Sequence, residues 1–383
     1  MWKSGDIPMT WSFKLFRVKN IDVRVHTTFL LILIWAAYRW SESTGEGLIG
    51  AAFGIVATLL LFASVTLHEF GHSLQALKYN ITVHDITLMP LGGLARIEEM
   101  PEDPGKEFRI AIAGPLVNFI IAGILFGIGV LLNTRAIISL DELYNSMGQV
   151  SWNGLLAYLT MTNLLMGLFN LIPAYPMDGG RILRAALAKR LGYSKATNIA
   201  VNVGQGLALL FGLWGFMNGS YTLVLIAIFV WMGAGQEGKD TVVKNVLSEM
   251  KVSQAMTREP QILKANDGLF KAIDLILSTS QSDFPVTEWG SNQAIGLLCE
   301  IDLLKGLNTH DRTSPVREVM RTAFPTARPD QPLFEAQRQM VAGKARAMPV
   351  VDDDNNIVGL LTAADINEAY RLLSISQKTS LRK

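Results

Sequence analysis

Residues 48–72 read LIGAAFGIVATLLLFASVTLHEFGH, and the last five letters set the terms for the rest of the chain. Residues four apart on a helix share a face, so the imidazoles of His68 and His72 can reach one Zn²⁺. Glu69 beside them is the residue type that takes a proton from metal-activated water. The alternative is two interfacial histidines at a helix end, but HExxH rarely arises by chance in a chain with 5 histidines. The residues from 48 to 67 carry no charge, so the pattern closes a run long enough to cross a bilayer. A hydrolytic zinc site would then lie at membrane depth, where water and charge are expensive.

The run is not isolated. Half of the 383 residues are hydrophobic, and the apolar runs fall almost entirely before residue 237. Six spans are expected, over roughly 26–40, 48–77, 108–132, 153–172, 198–217 and 219–236. Tyr38 and Trp40 at the end of the first read as interfacial anchors. Positive charge orients the set. Lys3, Lys14, Arg17, Lys19 and Arg24 precede span one; Lys78, Arg96 and Lys106 follow span two. Arg181, Arg184, Lys189 and Arg190 follow span four, and Lys239 and Lys244 follow span six. The opposite loops carry little beyond Arg39 and Arg135, so both termini are expected to be cytoplasmic. A net charge of +1 gives no electrostatic case for nucleic acid. Cys299, the 1 cysteine, excludes an internal disulfide and a cysteine-based zinc site.

Two histidines need a third protein ligand beside an open position. His26 stands at the start of span one, His84 in an alternating stretch, and His310 in the polar half. Carboxylates are scarce in the apolar half, which singles out Asp178 in NLIPAYPMDGGR, residues 170–181. Pro173 and Pro176 break the helix, and Gly179-Gly180 admit unusual backbone angles. Broken backbone at membrane depth belongs in a protein-lined or water-filled cavity. Asp178 is the expected third ligand; the alternative is a carboxylate capping the basic helix that starts near Arg181.

These motifs, with AGPLVN at 113–118 and PLGG at 90–93, resemble the site-2 protease family of intramembrane zinc metalloproteases, in the branch with a C-terminal CBS pair. The resemblance covers the first 236 residues in the expected order. It implies that His68, His72 and Asp178 hold one zinc per chain, and that Glu69 is the catalytic base. It also implies that Asn170 contacts the substrate peptide or the oxyanion, and that Asn118 is a polar site residue. Either asparagine could instead be an interhelical hydrogen-bonding residue. The implied substrate is the transmembrane segment of a single-span membrane protein, cut in regulated intramembrane proteolysis at the cell (plasma) membrane. Residues 81–98 alternate apolar and polar side chains and read as a short hairpin at the membrane surface. In the family such an element pairs with the unwound substrate as an added strand.

The polar half repeats itself at an interval of about 64 residues. Residues 250–310 and 314–372 align Met256 with Met320, Pro285 with Pro349 and Asp302 with Asp365. Each reads as a β-α-β-β-α unit, after a linker at 237–249 and before a tail at 373–383. The pattern resembles a tandem CBS pair, which implies adenine nucleotide binding (ATP or AMP) and a homodimer through these domains. The family's ribose pattern, Thr or Ser three residues before Asp, falls on Thr362 and Asp365; at Asp302 the partner position is Cys299. The alternative for this module is dimerisation without a ligand. The expected architecture is therefore a polytopic α-helical membrane protein with a short surface hairpin and a soluble α/β CBS pair. A nucleotide-regulated transporter or channel, or an inactive substrate-binding scaffold, are the rival readings; neither explains a glutamate between two histidines.

Overall fold

The computed structural model describes residues 11–90, 92–98, 100–133 and 140–380. Lys3, Leu91 and Arg135, used above, lie outside the described residues, as do residues 381–383 of the expected tail. The chain divides into two compact units, one ending at Gly238 and the other beginning at Lys239.

The first unit opens with strands rather than a span. β1 (Ser12–Val18) and β2 (Ile21–His26) form an antiparallel pair. Lys19 and Asn20, both at positive φ, make the turn between them. His26 thus ends a strand, its Nδ1 2.7 Å from Thr28 Oγ1, and does not begin a membrane helix. α1 (Phe29–Thr44) and α2 (Leu48–Leu77) follow and pack on one another. β3 (Val83–Met89) and β4 (Gly92–Ile97) are antiparallel to each other, within the stretch expected as a hairpin. They belong to a larger sheet of order β1-β2-β3-β4, in which β2 runs parallel to β3 and β4 is an edge. His84 is exposed on β3.

α3 (Pro104–Leu131) starts where Asp103 accepts a hydrogen bond from the Lys106 amide at 2.9 Å, with proline in the first turn. Then come α4 (Leu140–Ser146), α5 (Trp152–Asn170), α6 (Asp178–Leu191), α7 (Tyr193–Met217) and α8 (Tyr221–Ser248). Among the described residues, 4 helices are long and apolar enough to cross a membrane: α2, α3, α7 and α8. The other two expected spans fall on shorter helices. α1 has 16 residues, about 24 Å of rise against a hydrocarbon core of about 30 Å. α5 has 19 residues, with Asn153 and Asn163 among them.

The second unit holds two sheets. One has the order β5-β6-β7, from β5 (Leu263–Lys264), β6 (Asp283–Thr287) and β7 (Ala294–Cys299), with α9 (Leu269–Ser278) and α10 (Glu300–Gly306). The other pairs β8 (Ala347–Val351) with β9 (Ile357–Thr362), flanked by α11 (Leu333–Ala342) and α12 (Ala363–Ser380). Where the second repeat was expected to have a first strand, a single parallel bridge joins Ala327 to Val350. The repeats meet reciprocally: a Cβ on Gly359 would come 2.7 Å from Met256 Sδ, and one on Gly296 would strike Met320 Sδ. Two boundaries differ from expectation. Much of the 237–249 linker is the end of α8, and residues 373–380 continue α12.

Candidate metal centre

α2 presents His68 and His72 one turn apart, and Gly71 between them lets α3 lie close. A Cβ on Gly71 would stand 2.7 Å from the Ala113 carbonyl oxygen. That closeness lets α3 orient both imidazoles. His72 Nδ1 lies 2.7 Å from the Ile110 carbonyl, which can only accept, so Nδ1 carries the proton. His68 Nδ1 lies 2.7 Å from Asn118 Oδ1 and donates in the same way. With both Nδ1 atoms protonated, both Nε2 lone pairs are free for a metal.

The third group arrives from a broken backbone. After α5 ends, residues 171–177 turn through Pro173 and a cis Tyr175–Pro176 bond before α6 begins at Asp178. Gly179 and Gly180 are helical, not at positive φ; they are small because the loop folds back on them. A Cβ on Gly180 would stand 2.7 Å from Tyr175 N. The residue before α6 caps nothing with its side chain, and Asp178 faces the histidines rather than serving as a cap. Asp178 Oδ2 lies 3.1 Å from His72 Nε2 and 3.3 Å from His68 Nε2, and the two Nε2 atoms are 3.1 Å apart.

A tetrahedral zinc with ligand bonds near 2.0–2.1 Å requires its donor atoms about 3.3 Å apart. The observed triangle has that size. Gly114 of α3 borders it: a Cβ there would overlap His72 Nε2 and stand 2.7 Å from His68 Nε2. His68 and His72 are buried, and Asp178 nearly so. Two imidazoles and one carboxylate suit Zn²⁺ and leave one coordination position to open. These are the groups that could hold a metal among the described residues.

Glu69 sits on the sheet side of α2. The Ala95 amide of β4 donates to Glu69 Oε2 at 3.3 Å, and a Cβ on Gly93 would stand 2.8 Å from Glu69 Cγ. Asn118 thus stands behind His68, as a hydrogen-bonding neighbour of a donor group. Asn170 is the half-buried last residue of α5. Sequence reading did not single out the Ile110 carbonyl and the Ala95 amide, since backbone groups carry no letter of their own. Gly114 lay inside a quoted motif, but only the packing reveals its purpose.

In the second unit, Asp365 Oδ2 accepts from Thr362 N and Thr362 Oγ1, each at 2.8 Å, and Asp365 N donates back at 3.2 Å. That is a reciprocal cap at the start of α12. The first repeat differs. Asp302 is gripped by Arg321 at 2.5 and 3.0 Å, and Cys299 is buried at the head of α10. The Asp302 carboxylate holds the Arg321 guanidinium charge even more firmly than usual.

A donor triangle of this kind beside a glutamate is the donor set of a hydrolytic zinc centre, and its two imidazoles stand on α2, a helix long and apolar enough to cross a membrane. The peptidase family M50 profile matches residues 56–211, and the CBS domain profile matches 316–372. The chain is 33% identical to zinc metalloprotease MJ0392 of Methanocaldococcus jannaschii over 97% of its own length and 99% of the relative's. A solved site-2 protease from the same organism is 41% identical over 60% of this chain and 95% of that one, with a TM-score of 0.42. The chain belongs to peptidase family M50, as a zinc metalloprotease with a CBS domain.

Proposed function

We propose that this protein is an intramembrane endopeptidase that cuts the transmembrane segment of a single-span protein, and that its CBS pair regulates it through an adenine nucleotide. One observation carries the hydrolytic part: three donor atoms 3.1–3.3 Å apart, with Glu69 on the same helix as two of them. His68, His72 and Asp178 would hold one zinc. When bound, the metal supplies Lewis acidity that makes water a nucleophile at neutral pH. Glu69 takes a proton from the attacking water and delivers it to the departing amine as the peptide C–N bond breaks. Asn170 steadies the negative charge that develops on the carbonyl oxygen. Asn118 keeps the proton of His68 on Nδ1.

A helical substrate must unwind before its peptide bonds can be reached. β4 is a sheet edge whose Ala95 amide points at Glu69, so a strand added along it would pass beside the base. α1 and α5, the helices nearest the other two expected spans, complete six crossings, which with the charge pattern puts both termini in the cytoplasm of a plasma-membrane protein. Thr362 and Asp365 form the better nucleotide cleft, Asp302 the poorer, and the CBS pair joins two chains as a homodimer.

The test is cleavage of a single-span reporter by purified protein, with and without ATP, against Glu69→Gln. Cleavage by the wild type alone, with zinc retained in the variant, is expected. Equal cleavage by Glu69→Gln would remove the base assignment, and rates unaltered across a nucleotide titration with binding verified would remove the regulation.

A further inference from the structure

We propose that Arg184 is a positioning residue for the metal centre, acting through a buried ion pair with Glu107. Arg184 lies on α6, the helix that begins with Asp178, and is 1% exposed. Its Nε and Nη2 both donate to Glu107 Oε1, at 2.7 and 2.5 Å, and Nη1 donates to Glu237 Oε1 of α8 at 2.8 Å. The guanidinium lies over the Tyr193 ring at 4.6 Å and near the Tyr175 ring at 5.3 Å. Tyr175 belongs to the broken loop that delivers Asp178. A guanidinium with two nitrogens on one Glu107 oxygen, a third on Glu237 and rings on the other side has almost no freedom left.

Glu107 matters because of the helix it stands on. α3 carries the Ile110 carbonyl that orients His72, the Asn118 amide that orients His68, and the Gly114 surface between them. Glu107 is one turn before Ile110 on that helix, and it is fully buried. The ion pair therefore fixes the helix that orients both histidines to the helix that supplies the carboxylate. A fraction of an ångström of sliding between α3 and α6 would open the donor triangle. Burying such a pair costs much of what its attraction returns, so fixed register, rather than stability, is its main contribution.

The inference rests on the metal-ligand reading given above, and the experiment separates the two. Full-length protein would be purified with zinc, and release to a chromophoric chelator timed beside the thermal midpoint. Arg184→Met is expected to release zinc at least tenfold faster than wild type, and Arg184→Lys to fall between them. Since Arg184→Met could fail to fold, the paired replacement Glu107→Leu with Arg184→Leu is included. It fills the space with apolar groups and leaves no buried charge alone. It should keep a near-native midpoint and still lose zinc at least tenfold faster. Wild-type release from either folded variant would overturn the proposal. His68→Ala and Asp178→Asn in the same assay identify the source of a failure. Zinc lost by these two but kept by the Arg184 variants defeats the positioning role alone. Zinc kept by all defeats the ligand assignment beneath it.

Discussion

A Cβ placed on Gly114 would overlap His72 Nε2, although the two residues belong to different helices. Gly114 is helical and needs no special backbone angle, so alanine there would raise intrinsic helix stability by about 1 kcal/mol. The methyl group would nonetheless stand among the donor atoms. Gly114→Ala should therefore fold normally and lose zinc, with at least a tenfold drop in metal affinity. Metal content after dialysis against a graded chelator, set beside the thermal midpoint, checks this. Full occupancy in a folded Gly114→Ala protein would show that the donor triangle is wider in solution.

Gly93 bears the same relation to Glu69, at 2.8 Å from Cγ, but from the sheet rather than a helix. Valine suits a strand, so Gly93→Val should leave β4 intact. It should displace the base without touching the ligands. Zinc stays bound, and kcat for a reporter falls tenfold to a hundredfold. Loss of zinc, or unchanged turnover, would contradict the placement of Glu69 against β4.

What was legible in the sequence follows from what each signal encodes. His68, His72 and Asp178 announced themselves because ligating side chains in an apolar half have few other uses, and the structure brings all three to one point. The strands β1 and β2 are hard to see in the sequence, although Lys19-Asn20 marks their turn, because the basic residues there serve equally well as topological charge. Gly179-Gly180 suggest unusual angles in the sequence, but the constraint is close approach of the loop backbone, the Ile172 carbonyl oxygen against Gly179 and Tyr175 N against Gly180. The Arg184–Glu107 pair was invisible, since nothing links residues so far apart in sequence until α3 and α6 are packed.

Asp365 caps α12, and substitution separates that role from the nucleotide contact proposed for it. Its carboxylate accepts both hydrogen bonds from Thr362 at the head of α12, so Asp365→Ala should destabilise the second unit by about 1 kcal/mol. Asp365→Asn keeps an acceptor oxygen and should cost less. If this cleft takes the nucleotide ribose, both variants lose AMP binding, including the one that stays stable. Calorimetric titration of AMP with the full chain, alongside a denaturant midpoint, makes the distinction. Undiminished AMP affinity in Asp365→Ala would move the nucleotide elsewhere or remove it.

Cys299 gives a report on the second unit that does not depend on activity. Burial pushes its thiol up to about 12, and the neighbouring Asp283 carboxylate adds to the effect. A thiol with an ordinary value near 8.5 is about one-quarter thiolate at pH 8, whereas one near 12 is thiolate in about one molecule in ten thousand. Iodoacetamide at pH 8 should leave the folded protein unmodified and label it fully in denaturant. The same shift sets a pH dependence with a definite sign. Between the ordinary value and about 12 the folded chain keeps a proton that the unfolded chain has lost, so stability falls as pH rises through that window. Cys299→Ser removes the titrating group. The difference in denaturant midpoint between wild type and variant should be flat below pH 8 and shift against the wild type above it. Rapid native labelling, or a pH-independent difference, would place Cys299 at an accessible surface.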